Sequence, residues 1–188
     1  VAKAKSLYDQ KKYSSALKIY KKVGDKDGVN KTENKLKMVA LYKQAKKEYE
    51  NELYLTALNT VEKIEDYSPA ETLKKEIEDE INRLKPDVPN VGEFYDVTES
   101  ADYGFARVRV DWDEVSPADG YEYYATSNYD ITSSNGVLYY AHFTAGIYNP
   151  NVRLTFKVRA YREVNGERIY GDWSRVVTVN AVSYTHLT

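Results

Sequence analysis

The stretch "LTFKVRAYREVNGERIYGDWSR", residues 154–175, decides the fold of half this chain. It opens on strict alternation: Leu154, Phe156, Val158 and Ala160 against Thr155, Lys157, Arg159 and Tyr161. A period of two is that of a strand with one face in a core and one in water. Asn165-Gly166 then gives the two-residue signal of a type I′ hairpin, because both residues tolerate positive φ. Arg162–Val164 and Glu167–Ile169 are read as the two arms of a charged ribbon, and alternating charges help protect such an edge. Ser174 is placed in the last strand. This stretch is the place on this half to look for a partner, with Tyr161, Tyr170 and Trp173, set beside arginines in the sequence, as candidate contacts.

The same period extends outward. "FARVRVDW" puts Ala106, Val108, Val110 and Trp112 on one face, with Arg107, Arg109 and Asp111 on the other. "GYEYYA", "GVLYYAHF" and "RVVTV" are further strand candidates. Turn signals separate them at Ser116–Gly120, Ser134-Asn135-Gly136, Asn149-Pro150-Asn151 and Asn165-Gly166. About seven short strands over residues 91–180 read as an antiparallel β-sandwich.

Upstream of "KPDVPN" the composition changes. Through Pro86 the chain carries 19 basic against 15 acidic residues; beyond it, 8 against 14. Such a shift marks a domain boundary, with residues 86–90 as the linker. Residues 1–85 are rich in Lys, Glu, Leu and Ala, which favours helix. They also repeat. "AKSLYDQKKYSSALKIYKKV" aligns with "AKKEYENELYLTALNTVEKI" at an offset of 41 residues. Ala4 meets Ala45, Tyr8 meets Tyr49, Tyr13 meets Tyr54, Ala16 meets Ala57, and Tyr20 meets Val61. The matches fall on small or apolar positions, as two copies of one packed helix pair require. Helices are expected to about Lys11, over Ser14–Val23, from about Lys31 to Glu50, and over Leu55–Ile64, with "GDKDGVN" as a break. Ser68-Pro69-Ala70-Glu71 reads as a further helix start with Ser68 as N-cap. Leu73, Ile77, Ile81 and Leu84 give that helix a single apolar stripe, as a terminal capping helix needs.

Two resemblances follow. Tyr-x-x-Ala-Leu-x-x-Tyr-x-x-Val resembles the second helix of a tetratricopeptide repeat, with Ala16 and Ala57 as the close-approach positions. The period departs from the family, being 41 and not 34, and the family's glycine before the tight turn is absent near Lys12 and Leu53. The resemblance implies a scaffold or peptide-binding solenoid, with Tyr42 and Lys46 of the long helix as candidate contacts. The second half resembles a bacterial fibronectin type III domain. Trp112 stands where that family buries its second-strand Trp, Tyr121 in "DGYEYYATS" at the third-strand aromatic, Phe156 and Val158 in the sixth strand. "WSRVVTV" matches the last strand. The family's corner tyrosine would fall at Leu154, a departure. The implied setting is extracellular or the cell envelope.

Chemistry finds little foothold. There is no Cys, so no disulfide, thiol nucleophile or cysteine zinc site arises, and His142 and His186 are the sole histidines. In Asp25–Glu33, Gly28 falls at loop position 4, where an EF-hand needs it at 6. The carboxylate groups Asp111/Asp113/Glu114 and Glu76/Glu78/Asp79/Glu80 read as a strand end and a solvated helix face. No phosphate-cradling glycine loop is present. No cofactor is expected. No apolar run approaches the roughly 20 residues of a membrane span.

Residues 1–47 hold 14 lysines against four acids, read as a solvated helical surface, with no nucleic acid expected. The chain has 19 tyrosines, and Tyr123, Tyr124, Tyr129, Tyr139, Tyr140 and Tyr148 gather in the middle strands. Alternation turns some of these outward, where rings can stack on sugars or anchor a protein. The chain starts at Val1 and is read as a piece of a longer protein. "AVSYTHLT", residues 181–188, joins no pattern; it resembles translated sequencing-adapter read-through and is expected to be unstructured and non-native. The expectation is a multi-domain α plus β chain. It is a non-catalytic protein-interaction or spacer module of a larger bacterial envelope or secreted protein. Its partner would be a protein or peptide. The alternatives are a module binding cell-wall polysaccharide, and an accessory region of a multidomain hydrolase.

Overall fold

The structure, a computed structural model, describes residues 1–99, 105–128, 133–148 and 151–180. Tyr129, Asn149, Pro150 and the 181–188 tail lie outside them. The chain divides into two units, Val1–Arg83 and Leu84–Thr188. The first holds five helices: α1 Ala2–Asp9, α2 Tyr13–Lys22, α3 Lys26–Glu50, α4 Tyr54–Val61 and α5 Ser68–Leu84.

The 41-residue repeat is structural. Ala4 and Ala45, like Ala16 and Ala57, are wholly buried, Ala4 and Ala16 in one apolar cluster and Ala45 and Ala57 in another. Tyr8 packs edge-on against Tyr13 at 5.1 Å, and Tyr49 against Tyr54 at 5.8 Å. The turns correspond as well. Lys12 N–H donates to Leu7 C=O and Leu53 N–H to Glu48 C=O, while Lys11 donates to Tyr8 and Glu52 to Tyr49. This pair of bonds closes a Schellman turn, which needs a left-handed residue after the helix. Lys11 (φ 59°) and Glu52 (φ 58°) supply it without glycine.

Three boundaries differ from expectation. The long helix begins at Lys26, not Lys31, because only Gly24 and Asp25 break the chain. Asp25 caps it, accepting from Gly28 N–H at 2.9 Å. Helix α4 covers Tyr54–Val61 and stops short of Ile64. Ser68 is the first residue of α5 and not its cap. Around α4, Ala45, Ala57, Val61, Ala70, Leu73 and Ile77 form one apolar cluster, so the stripe on α5 buries against the second helix pair. Tyr20 and Val29 join the first pair to α3.

The second unit is antiparallel β. Its strands are β1 Tyr95–Asp96, β2 Ala106–Asp111, β3 Gly120–Ser127, β4 Ser133–Leu138, β5 His142–Ile147, β6 Arg153–Val164, β7 Glu167–Tyr170 and β8 Val177–Asn180. One sheet runs β1-β2-β5. The other runs β4-β3-β6-β7, with β8 also paired to β6. Inward residues of both sheets share one core: Val108, Val110 and Trp112 from the first, Tyr121, Ala125, Leu154, Phe156, Val158 and Ala160 from the second. Phe156 sits at its centre, stacked at 4.8 Å on Phe143 and 5.7 Å on Trp112. The indole N–H of Trp112 has no hydrogen-bond partner among the described residues.

Asn165-Gly166 makes the tight turn of the β6–β7 hairpin, with φ of 48° and 83° and Val164 opposite Glu167. The edge then breaks. Ser174 lies between β7 and β8, not within a strand. Its hydroxyl accepts from Val158 N–H at 3.1 Å and donates to Arg175 C=O at 2.8 Å, replacing a ladder bond. "GVLYYAHF" is two strands separated by a bend at Tyr139–Ala141. Asn135-Gly136, read as a turn, lies inside β4 opposite Tyr124 and Tyr123. There the Tyr123 ring occupies the space a Cβ at residue 136 would need, 2.8 Å away.

Candidate interaction surfaces

On the helical unit, Tyr42 and Lys46 lie one turn apart on α3. Tyr42 is half-buried and packs edge-on on Tyr67 at 5.5 Å. It belongs to the apolar cluster of the second helix pair and so carries packing. Lys46 is exposed, 3.9 Å from Glu50. An exposed pair at this spacing contributes a few tenths of a kcal/mol.

In the β unit, register fixes the outer face of the larger sheet. Glu122 stands opposite Arg159, Tyr124 opposite Lys157 and Tyr161 opposite Tyr170. The long cations of β6 interleave with aromatic rings. Lys157 Nζ lies 4.5 Å from the Trp173 ring and 5.5 Å from that of Tyr124. The Arg159 guanidinium lies 4.5 Å from Trp173 and 4.0 Å from Tyr170. It also binds the Glu122 carboxylate through Nε at 2.6 Å. Each contact of this type is worth about 0.5–1 kcal/mol at exposed sites. Tyr170 and Trp173 are both half-buried. The structure therefore joins them in a cation–aromatic ladder that clamps the β7–β8 segment to β6.

Tyr161 is not the outward aromatic that alternation suggests. It is 1% exposed. Its ring lies across Gly120, while Arg168 stacks on it at 4.6 Å. Burial pushes its phenol pKa up, and a hydrogen bond with Tyr139 adds to the rise.

The exposed aromatics are elsewhere. Tyr139 is 75% and Tyr140 52% exposed at the bend between β4 and β5. They line a cleft of about 180 Å³ together with Ala141 and with Glu114, Val115 and Ala118–Tyr121 of the preceding turn. Tyr121 holds this turn, its hydroxyl accepting from Val115 N–H at 2.9 Å. The Asp119 carboxylate accepts from Glu163 N–H at 2.7 Å. One face of the Tyr140 ring stacks on His142 at 4.3 Å. The signal that could have found this cleft was the doublet Tyr139-Tyr140. Two adjacent aromatics in a half-buried strand should face opposite ways, so two exposed ones mean a bend.

On the smaller sheet, Arg109 binds Asp111 at 2.6 Å and the Tyr95 hydroxyl donates to the same carboxylate. Partial burial raises the Asp111 pKa, but these two bonds outweigh it and the net shift is downward. Among the described residues no group of His, Asp and Glu is arranged to hold a metal ion. No described helix is long and apolar enough to cross a membrane. Compared with protein-family models and with curated proteins, the chain finds no match in either.

Proposed function

We propose that the chain is a non-catalytic interaction and spacer module of a larger bacterial envelope or secreted protein. Its first 85 residues are read as a tetratricopeptide-like repeat, and residues 91–180 as a fibronectin type III-like sandwich. The observation that carries the reading is the repeated helix pair: identical buried alanines, matching tyrosine pairs and matching turns at an offset of 41 residues. Units that bury their faces only on neighbours form extended scaffolds whose side chains can vary for partners. In the β unit, the strongest cationic chemistry is held within the ladder, which favours a structural use for Arg159 and Lys157. The fold resemblances are an associational warrant for the cellular setting.

A carbohydrate-adhesion reading has one observation in its favour. Tyr148, 74% exposed, packs at a tilt against Phe105 at 4.8 Å, and Tyr95 and Tyr140 are also exposed on this unit. One experiment separates the two readings. The immobilised chain is challenged with envelope proteins and, separately, with purified cell-wall polysaccharide. Saturable retention of a protein, competed by free chain, supports the interaction module. Retention of polysaccharide alone, lost in Tyr140→Ala and Tyr148→Ala, replaces it with the adhesion reading.

A further inference from the structure

We propose that the cleft between the Glu114–Tyr121 turn and the Tyr139–Ala141 bend receives a cationic side chain, lysine or arginine, of a partner polypeptide. The inference rests on the interaction-module reading and names the chemistry of one contact.

Three observations converge. First, the cleft is a concavity of about 180 Å³, room for one side chain and less than the roughly 300 Å³ at which small-molecule pockets begin. Second, its charged lining is acidic throughout, Glu114 and Asp119, with no Lys, Arg or His among the lining residues. Five carboxylates elsewhere in this unit have a cation beside them: Glu93 with Arg175, Asp111 with Arg109, Glu122 with Arg159, Glu163 with Arg168, and Asp172 with Lys85. Asp119 is held by a backbone N–H, and Glu114 is exposed with no cation beside it among the described residues. Third, the rim is aromatic. Tyr140 has one ring face on His142 and is 52% exposed, which leaves its other face for a ligand. Carboxylates and an exposed aromatic ring lining one cleft suit an ammonium or guanidinium group. The same unit already uses this pairing internally, where Arg159 lies over Tyr170 while bound to Glu122. A neutral saccharide would gain the stacking but nothing from the uncompensated charge.

The test is an amide NMR titration of the full chain with a hexalysine peptide and, separately, with neutral chitotetraose. The proposal expects hexalysine to shift the amides of Glu114–Tyr121 and Tyr139–Ala141. Glu114→Gln and Tyr140→Leu each weaken binding about two- to fivefold, and Tyr140→Phe, which keeps the ring, does not. Raising salt from about 0.05 to about 0.5 M weakens it further. Both positions are exposed, so each variant should fold, and unchanged melting checks that it has. Shifts scattered over other acidic surfaces, affinity indifferent to both substitutions, or a response at the cleft to chitotetraose alone would each overturn it. Retention of a protein partner by a Glu114→Gln chain whose hexalysine site is lost would leave the module reading standing.

Discussion

The ring of Tyr161 lies across Gly120, its register partner on β3, so closely that a Cβ at residue 120 would stand 2.6 Å from the phenol oxygen. The aromatic ring covers a stretch of backbone that has no side chain of its own, and the glycine gives the ring a seat. Gly120→Ala should therefore destabilise the β unit by about 1–3 kcal/mol. Both tryptophans, Trp112 and Trp173, belong to this unit, so their fluorescence in a denaturant titration reads it alone. Combining Gly120→Ala with Tyr161→Ala should cost less than the sum of the two, since the clash vanishes with the ring.

The buried phenol also gives a pH dependence. The fold raises the Tyr161 pKa, so it favours the neutral form. The associated stability is fully present below the unfolded phenol value of about 10 and is lost as pH rises through the folded value. Tyr161→Phe should flatten the alkaline limb of β-unit stability, followed by tryptophan fluorescence. An alkaline limb identical to that of the unaltered chain would show that another group controls it.

Trp112 joins the sheets through Tyr121 at 5.3 Å and Phe156 at 5.7 Å. Trp112→Ala should cost about 3–5 kcal/mol. Because the indole N–H has no described partner, Trp112→Phe loses packing only and should cost clearly less. Thermal melts of the two variants give the comparison.

In the helical unit two substitutions should act against their usual signs. Ala for Gly inside a helix ordinarily stabilises by about 0.8–1 kcal/mol. At Gly28 the new Cβ would meet the Tyr20 ring at 2.3 Å, so Gly28→Ala should destabilise. Lys11→Gly, at a left-handed position, should stabilise by about 1 kcal/mol. Helical circular dichroism during urea unfolding reads both.

Much of this was legible, and the exceptions share a cause. The alternation from Leu154 to Ala160 and the Asn165-Gly166 turn depend on adjacent residues, so the chain displays them directly. The helix-pair repeat is visible because packing restricts Ala16 and Ala57 to small side chains. Tyr161 was misplaced because parity sets which side of a sheet a residue faces, while its burial comes from Tyr139, Gly120 and Arg168, distant or on other strands. Asn135-Gly136 has the letters of a turn, but its glycine serves the Tyr123 ring. The Lys11 and Glu52 turns carry no glycine to announce them. Of the candidate contacts, Tyr170 and Trp173 meet around the Arg159 guanidinium, a convergence that depends on β6 and that alternation alone does not give. The cleft at Tyr139-Tyr140 depends on a bend that periodicity does not encode.

The interaction-module reading is tested most directly by photo-crosslinking in cells that produce the full-length protein. A benzophenone side chain is placed at Lys46 and, in a second strain, at Tyr140, both exposed. The reading predicts a discrete adduct with one polypeptide of the envelope or secreted fraction from at least one position, and none from a probe at buried Val158. Absence of any polypeptide adduct from both exposed positions would contradict it.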